Sequence, residues 1–241
     1  MLHPTTSRHR RTILATLIAG VLALATAAPA CAEIQVGGGN PYSTEKTSLA
    51  YVDNDGVNDL ATVTIDGKGT PNQDDDIITF ASEWPLTPYN GCWSASADNK
   101  TVHCYGAKFD QIRIYGQNGH DTFNLPFEAY GWKSVVFAGP GSDTVTSYHG
   151  WDEIHGGPGM DFIWGGEGRD KLYADGGGGI LAGGPGNDYL NSAQASKEED
   201  DCGTGSDTVV ASAGDTVHHC EKIGGSYGQW LKAVGKWVKY L

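Results

Sequence analysis

From Ala138 to Asn191 an aliphatic residue recurs at every ninth position: Val145, Ile154, Ile163, Leu172, Leu181 and Leu190. With about one residue in five aliphatic, six hits in a fixed column have a chance of about 1 in 10,000. The residues around each hit are mostly polar or glycine. The column therefore predicts a short strand every nine residues, with its central side chain turned inward and its neighbours outward. At the flanking positions Glu153, His155, Lys171 and Asn191 suit water, while Phe162, Trp164, Ile180 and Tyr189 line an exposed face.

Two further columns share the period. The six blocks are "AGPGSDTVT", "SYHGWDEIH", "GGPGMDFIW", "GGEGRDKLY", "ADGGGGILA" and "GGPGNDYLN". Position four is glycine in all of them: Gly141, Gly150, Gly159, Gly168, Gly177 and Gly186. Position six is aspartate in five: Asp143, Asp152, Asp161, Asp170 and Asp188, with Gly179 the exception. Fixed glycines supply the backbone freedom of a tight turn. A turn and a strand in nine residues make half a circuit, so two blocks complete one rung of a flattened parallel coil. The pattern predicts an all-β solenoid whose inward aliphatics stack into a thin core.

Such a core buries little apolar surface for the length of chain it orders. The aspartates indicate what else holds the turns. Blocks two apart stack on one edge, which places Asp143 over Asp161, Asp152 over Asp170, and Asp170 over Asp188. Asp170 then serves two stacked pairs and Asp143 one, so losing Asp170 should do more harm. Carboxylates and glycine-turn carbonyls together suit calcium, which takes six to eight oxygens in irregular geometry, better than magnesium or zinc.

Flanking the run, "SLAYVD", "LATVTID", "DIITFAS", "TVHCYG" and "QIRIYG" read as strands between Gly, Asn, Pro and Asp turns. Residues 33–137 form an N-terminal β region, either wider coils leading into the run or a small β domain. "YVDNDGVNDLATV" lacks the first acid and closing glutamate of an EF-hand and reads as a turn between strands. Beyond Asn191, "ASKEEDD" reads as an acidic link, and residues 192–225 as a closing rung with an imperfect repeat around Asp207 and Asp215. In the last stretch, 226–241, Trp230, Leu231, Val234, Trp237, Val238 and Leu241 share one helical face, with Lys232, Lys236 and Lys239 elsewhere. This amphipathic helix caps the coil or meets a membrane.

The first 32 residues carry Arg8, Arg10 and Arg11, an apolar run and the exit Ala30-Cys31-Ala32, the pattern of a cleaved secretory signal. The chain after it keeps four cysteines: Cys92, Cys104, Cys202 and Cys220. An even number in an exported chain predicts two disulfides, and proximity favours Cys92–Cys104 and Cys202–Cys220 among the three connectivities. The leader holds three of the 16 basic residues and none of the 29 acidic ones, leaving 13 against 29, or a net charge of −16. That balance argues against nucleic acid as a partner.

The blocks "GGPGMDFIW", "GGEGRDKLY" and "GGPGNDYLN" resemble the nonapeptide repeats of RTX, or haemolysin-type, calcium-binding proteins. The resemblance implies a right-handed parallel β-roll with about three to four calcium ions between successive turns. It implies ligands from Asp143, Asp152, Asp161, Asp170 and Asp188 and from the turns carrying Gly139, Gly141, Gly157, Gly159, Gly166, Gly168, Gly184 and Gly186. The missing acid at Gly179 weakens the site below Asp161.

No H-E-x-x-H occurs, and "GGSYG" around Ser226 is followed by no Asp, Glu or His, so it cannot complete a hydrolase triad. His149, His155, His218 and His219 read as surface histidines. Trp84, Trp93, Trp132 and Trp151 are either core or a sugar-stacking face. The sequence thus points to a secreted, non-enzymatic calcium-binding structural protein. Cell-surface, polysaccharide or membrane contact through the aromatics and the terminal helix is the alternative, and an enzyme site in the N-terminal β region a third reading. The oligomeric state is not readable.

Overall fold

A computed structural model describes residues 32–37, 47–52, 60–66, 77–83, 85–88, 92–105, 109–125, 132–194 and 197–226. Nearly all of the leader, all but Ser226 of the C-terminal helix predicted over 226–241, and Trp84 lie outside the described residues. The fold is an all-β parallel solenoid of about six turns. Its strands divide between two sheets, one on each side of a narrow core.

The nine-residue period becomes this architecture through the register. Val145 lies beside Ile163 and Ile163 beside Leu181 in one sheet. Ile154 lies beside Leu172 and Leu172 beside Leu190 in the other. Two blocks therefore make one turn, and all six aliphatics of the column are buried. The strands around them are short, as in Glu153–His155 and Lys171–Tyr173, because glycine turns interrupt them on both sides.

The same two sheets continue upstream. Thr47–Val52, Phe109–Tyr115 and Lys133–Phe137 are parallel neighbours in one, and Leu60–Asp66, Thr122–Leu125 and Thr144–Ser147 in the other. At Leu60–Asp66 the second sheet turns antiparallel, through Ile77–Ser82, Thr101–Tyr105 and Cys92–Ser94. The core is thicker here: Tyr51, Phe80, Phe123 and Trp132 are fully buried. Cys92–Cys104 ties the outer hairpin, and Cys202–Cys220 ties the last rungs.

One strand departs from the sequence reading. The acidic stretch read as a link supplies the strand Glu198–Gly205, parallel to Gly178–Gly186. Its inward positions carry Glu198 in the column of Asp143 and Asp161, Asp200 in the column of Ile163 and Leu181, and Cys202, so hydrophobic alternation could not reveal it.

On the outer face of the first sheet, the in-register residues Tyr115, Phe137, His155 and Tyr173 stack ring on ring. Centroids are 5.5, 4.8 and 4.5 Å apart and planes within 14° of parallel. His155 Nδ1 lies 2.5 Å from Asp175 Oδ2 at one edge of this ladder. Trp132 is core, whereas Trp93 and Trp151 are exposed, the latter at 71%.

Candidate metal centre

Each edge of the solenoid is a pile of turns. On one edge, Gly141 donates its N–H to Pro158 O at 2.9 Å, and Gly157 to Ala174 O at 3.2 Å. On the other, Gly166 donates to Gly183 O at 3.0 Å. Such close stacking forbids side chains. A Cβ on Gly159 would overlap the carbonyl oxygen of Gly141, and Gly157 adopts φ +102°, where L-residues are strained.

The aspartates lie just inside these turns, and all five predicted ones are buried. Each gives Oδ1 to the backbone one turn earlier. Asp161 Oδ1 accepts the N–H of Asp143 at 2.9 Å, Asp170 Oδ1 that of Asp152 at 2.8 Å, and Asp188 Oδ1 that of Asp170 at 2.9 Å. The ladder runs past the repeats at both ends. Asp143 Oδ1 accepts the N–H of Asp121 at 2.8 Å, and Asp207 Oδ1 that of Asp188 at 2.7 Å. Asp143 therefore serves two stacked neighbours, as Asp170 does. The asymmetry inferred from the nine-residue blocks alone does not hold, because the turn at Asp121 comes 22 residues earlier and escapes an 18-residue spacing.

The second carboxylate oxygens are the informative ones. The Oδ2 atoms of Asp143, Asp161, Asp170, Asp188 and Asp207 are buried without a hydrogen-bond partner among the described residues. An unpaired buried carboxylate oxygen is costly, so such groups call for a cation or a proton. Beside several of them the turn is cleared of side chains: a Cβ on Gly156 would lie 2.5 Å from Asp161 Oδ2, on Gly165 2.6 Å from Asp170 Oδ2, and on Gly183 2.7 Å from Asp188 Oδ2. The leading glycines of the repeat thus keep open the space that these oxygens face.

Burial pushes the carboxyls up, Asp161 and Asp188 to about 6 and Asp170 to about 8, with neighbouring aspartates adding a smaller upward push. Asp143 and Asp207 move the same way for the same main reason. Among the described residues, no group of three or more His, Cys, Asp or Glu side chains is arranged to hold an ion alone. An ion here would need backbone carbonyls beside the carboxylates. Oxygen-only donors in irregular stacks suit calcium.

Asp152 stands apart from the other four. Its Oδ1 accepts from the Ser134 amide at 3.0 Å and hydroxyl at 2.7 Å, and its Oδ2 from the Ser147 hydroxyl at 2.5 Å. Ser147 leads the block that lacks the leading glycines, and its hydroxyl satisfies the oxygen that the other aspartates leave open.

The predicted residues assemble by edge. Gly139, Gly141, Gly157 and Gly159 stack with Asp143 and Asp161; Gly166, Gly168, Gly184 and Gly186 stack with Asp152, Asp170 and Asp188. Asp207 was not among the predicted ligands, although "CGTGSD" keeps the spacing from leading position to aspartate with Cys202 in front. His149 and His219 face Glu167 and Asp201 at 3.3 and 2.8 Å, away from the aspartate ladder. The Ser226 hydroxyl accepts the N–H of Ala213 at 3.1 Å.

A family model described as the RTX calcium-binding nonapeptide repeat matches residues 135–163 and 155–190, in four copies. Comparison with curated proteins finds no match, and comparison with solved structures finds none. The matched segment is the part of the solenoid where glycine turns and open aspartate oxygens alternate between the edges. On that coincidence of match and geometry, residues 135–190 have the pattern of the RTX calcium-binding nonapeptide repeat.

Proposed function

We propose that the protein is a secreted structural protein whose repeat turns take up calcium outside the cell and become rigid by doing so. The observation that carries this reading is the row of buried, unpartnered Oδ2 atoms on Asp143, Asp161, Asp170, Asp188 and Asp207. These carboxylates would act with the carbonyls of the turns holding Gly139, Gly141, Gly157, Gly159, Gly166, Gly168, Gly184 and Gly186. About three to four ions are expected, the number that the repeat resemblance implies. Asp152 contributes least, because serines already occupy its oxygens.

Export is supported by the N-terminal pattern of basic start, apolar run and small-residue exit, and by two disulfides, which persist in oxidising compartments. Calcium binding only the folded turns would couple folding to the external ion concentration. The role is structural rather than catalytic. Circular dichroism of the chain without its leader should show a calcium-dependent gain of β-structure. Identical spectra and melting in millimolar chelator and millimolar calcium would sink the reading.

Adhesion is a second reading, favoured by the exposed Met160, Phe162 and Trp164 on one strand with Tyr148 beside them. Retention on polysaccharide resins or anionic vesicles that is lost in Phe162→Ser/Trp164→Ser would support it, and absence of retention would remove it.

A further inference from the structure

One rung past the matched repeats, the solenoid encloses carboxylates. The register advances by 19 residues here, setting Glu198 beside Gly179 and Asp200 beside Leu181. Asp200 therefore sits in the column that Val145, Ile163 and Leu181 fill with aliphatic side chains, and Val217 follows it. Glu198 is 3% exposed and Asp200 fully buried. They stand two residues apart on one strand, so both side chains enter the interior.

Hydrogen bonding accounts for only part of this cluster. Asp200 Oδ2 accepts from the Ser192 hydroxyl at 2.7 Å, and Asp215 Oδ1 accepts the N–H of Glu198 at 3.1 Å. Asp215 Oδ2 is engaged by Ser212 N–H at 2.5 Å and lies 3.2 Å from the Ser192 hydroxyl. Glu198 Oε2 and Asp200 Oδ1 are left, both buried and both without a partner among the described residues. The charged groups acting on Glu198 are all acidic: Asp200, Asp215 and Asp161. Gly179 adds no side chain between Asp161 and Glu198, and a Cβ there would overlap the backbone carbonyl of Asp161.

We propose that Glu198 and Asp200 bind a cation inside the solenoid, outside the matched repeats, with Glu198 in the place of the aspartate column and Asp200 in that of the aliphatic column. A hard divalent ion, calcium, fits two carboxylates whose remaining donors are backbone oxygen and water. The degenerate block is then explained. With no aspartate at Gly179, the edge turn below Asp161 is incomplete, and the longer Glu198 side chain brings its carboxylate inward from the next rung. The ion would join two rungs where the aliphatic column is broken.

Asp200 holds no turn position and Asp170 lies on the opposite edge, so this site and the Asp170 turn can fail separately. Calcium bound per chain is measured by equilibrium dialysis for the unaltered protein, Glu198→Gln/Asp200→Asn and Asp170→Asn. The expected result is one ion fewer in the double variant, with the calcium-dependent gain of β-structure retained. An unchanged ion count in the double variant overturns the proposal while leaving calcium at the turns intact. No calcium on the unaltered protein overturns both. Should the double variant fail to fold, Asp200→Leu restores the aliphatic column beside Leu181; it should also lose one ion, and a full complement overturns the site. A double variant that melts higher in chelator but binds the full complement means that the pair shares a proton, which likewise overturns the site.

Discussion

At the scale of the residue, the proposed function rests on carboxylates that the backbone half satisfies. One oxygen of each ladder aspartate accepts a neighbouring N–H, and the other is without a partner among the described residues in Asp143, Asp161, Asp170, Asp188 and Asp207. The pH dependence follows with a definite sign. Carboxyls raised in the folded state, Asp161, Asp188 and Asp200 to about 6 and Asp170 and Glu198 to about 8, bind more protons folded than unfolded. Without calcium, the chain should be most stable below the unfolded values near pH 4 and lose stability as pH rises through 6 to 8. Calcium displaces those protons, so its affinity should rise over the same window. Thermal melts at pH 5 and 8, with chelator and with calcium, check both slopes; a metal-free protein more stable at pH 8 would contradict the assignment. Glycine gives a sharper contrast. Gly165→Ala places a methyl beside Asp170 Oδ2 and should weaken calcium binding at that turn at least about tenfold. Gly214→Ala meets nothing within 4 Å and should change stability by less than about 0.5 kcal/mol. Calcium titration of the two variants separates them.

At the scale of the element, the repeat unit is a turn and a strand, and its exceptions are as informative as its rule. Ser147 replaces a leading glycine and closes Asp152 with a hydroxyl. Ser147→Gly should cost about 1–3 kcal/mol in chelator, because it strands a buried oxygen. In calcium much of that loss should be recovered, because the turn now matches its neighbours. Denaturant unfolding under both conditions would show it. The strands, register and aspartate ladder of 138–191 were legible in the sequence because three columns share one period. Glu198–Gly205 was not, since its inward acids break the apolar alternation by which strands are read. Asp207 was visible as a motif, but its 19-residue spacing from Asp188 hid its place in the ladder. The Ser134 hydrogen bonds to Asp152 were illegible because 18 residues separate the two and only the coil brings them together.

For the whole molecule, stability is graded along the axis. Aromatic and aliphatic bulk fills the N-terminal turns, with Tyr51, Phe80, Phe123 and Trp132 at the centre. The repeats keep one aliphatic per half-turn, and the last rungs add a disulfide between Cys202 and Cys220. Removing that bond as Cys202→Ser/Cys220→Ser should cost about 2–5 kcal/mol and raise the calcium concentration needed for folding, read by circular dichroism during titration. The N-terminal turns should be less affected, which hydrogen exchange along the chain can test.

Because nine residues carry the chain only half-way around, the molecule has a parity. Excising 165–182, a whole turn, leaves every later block on its own edge and should still give a folded, shorter coil. Excising 165–173 sends Asp188, Asp207 and the terminal disulfide to the opposite edge, where no matching partners wait. Lineages of such chains would then grow or shrink by eighteen residues more readily than by nine, and odd steps would survive only where an irregular rung, like the one at Glu198, absorbs the slip.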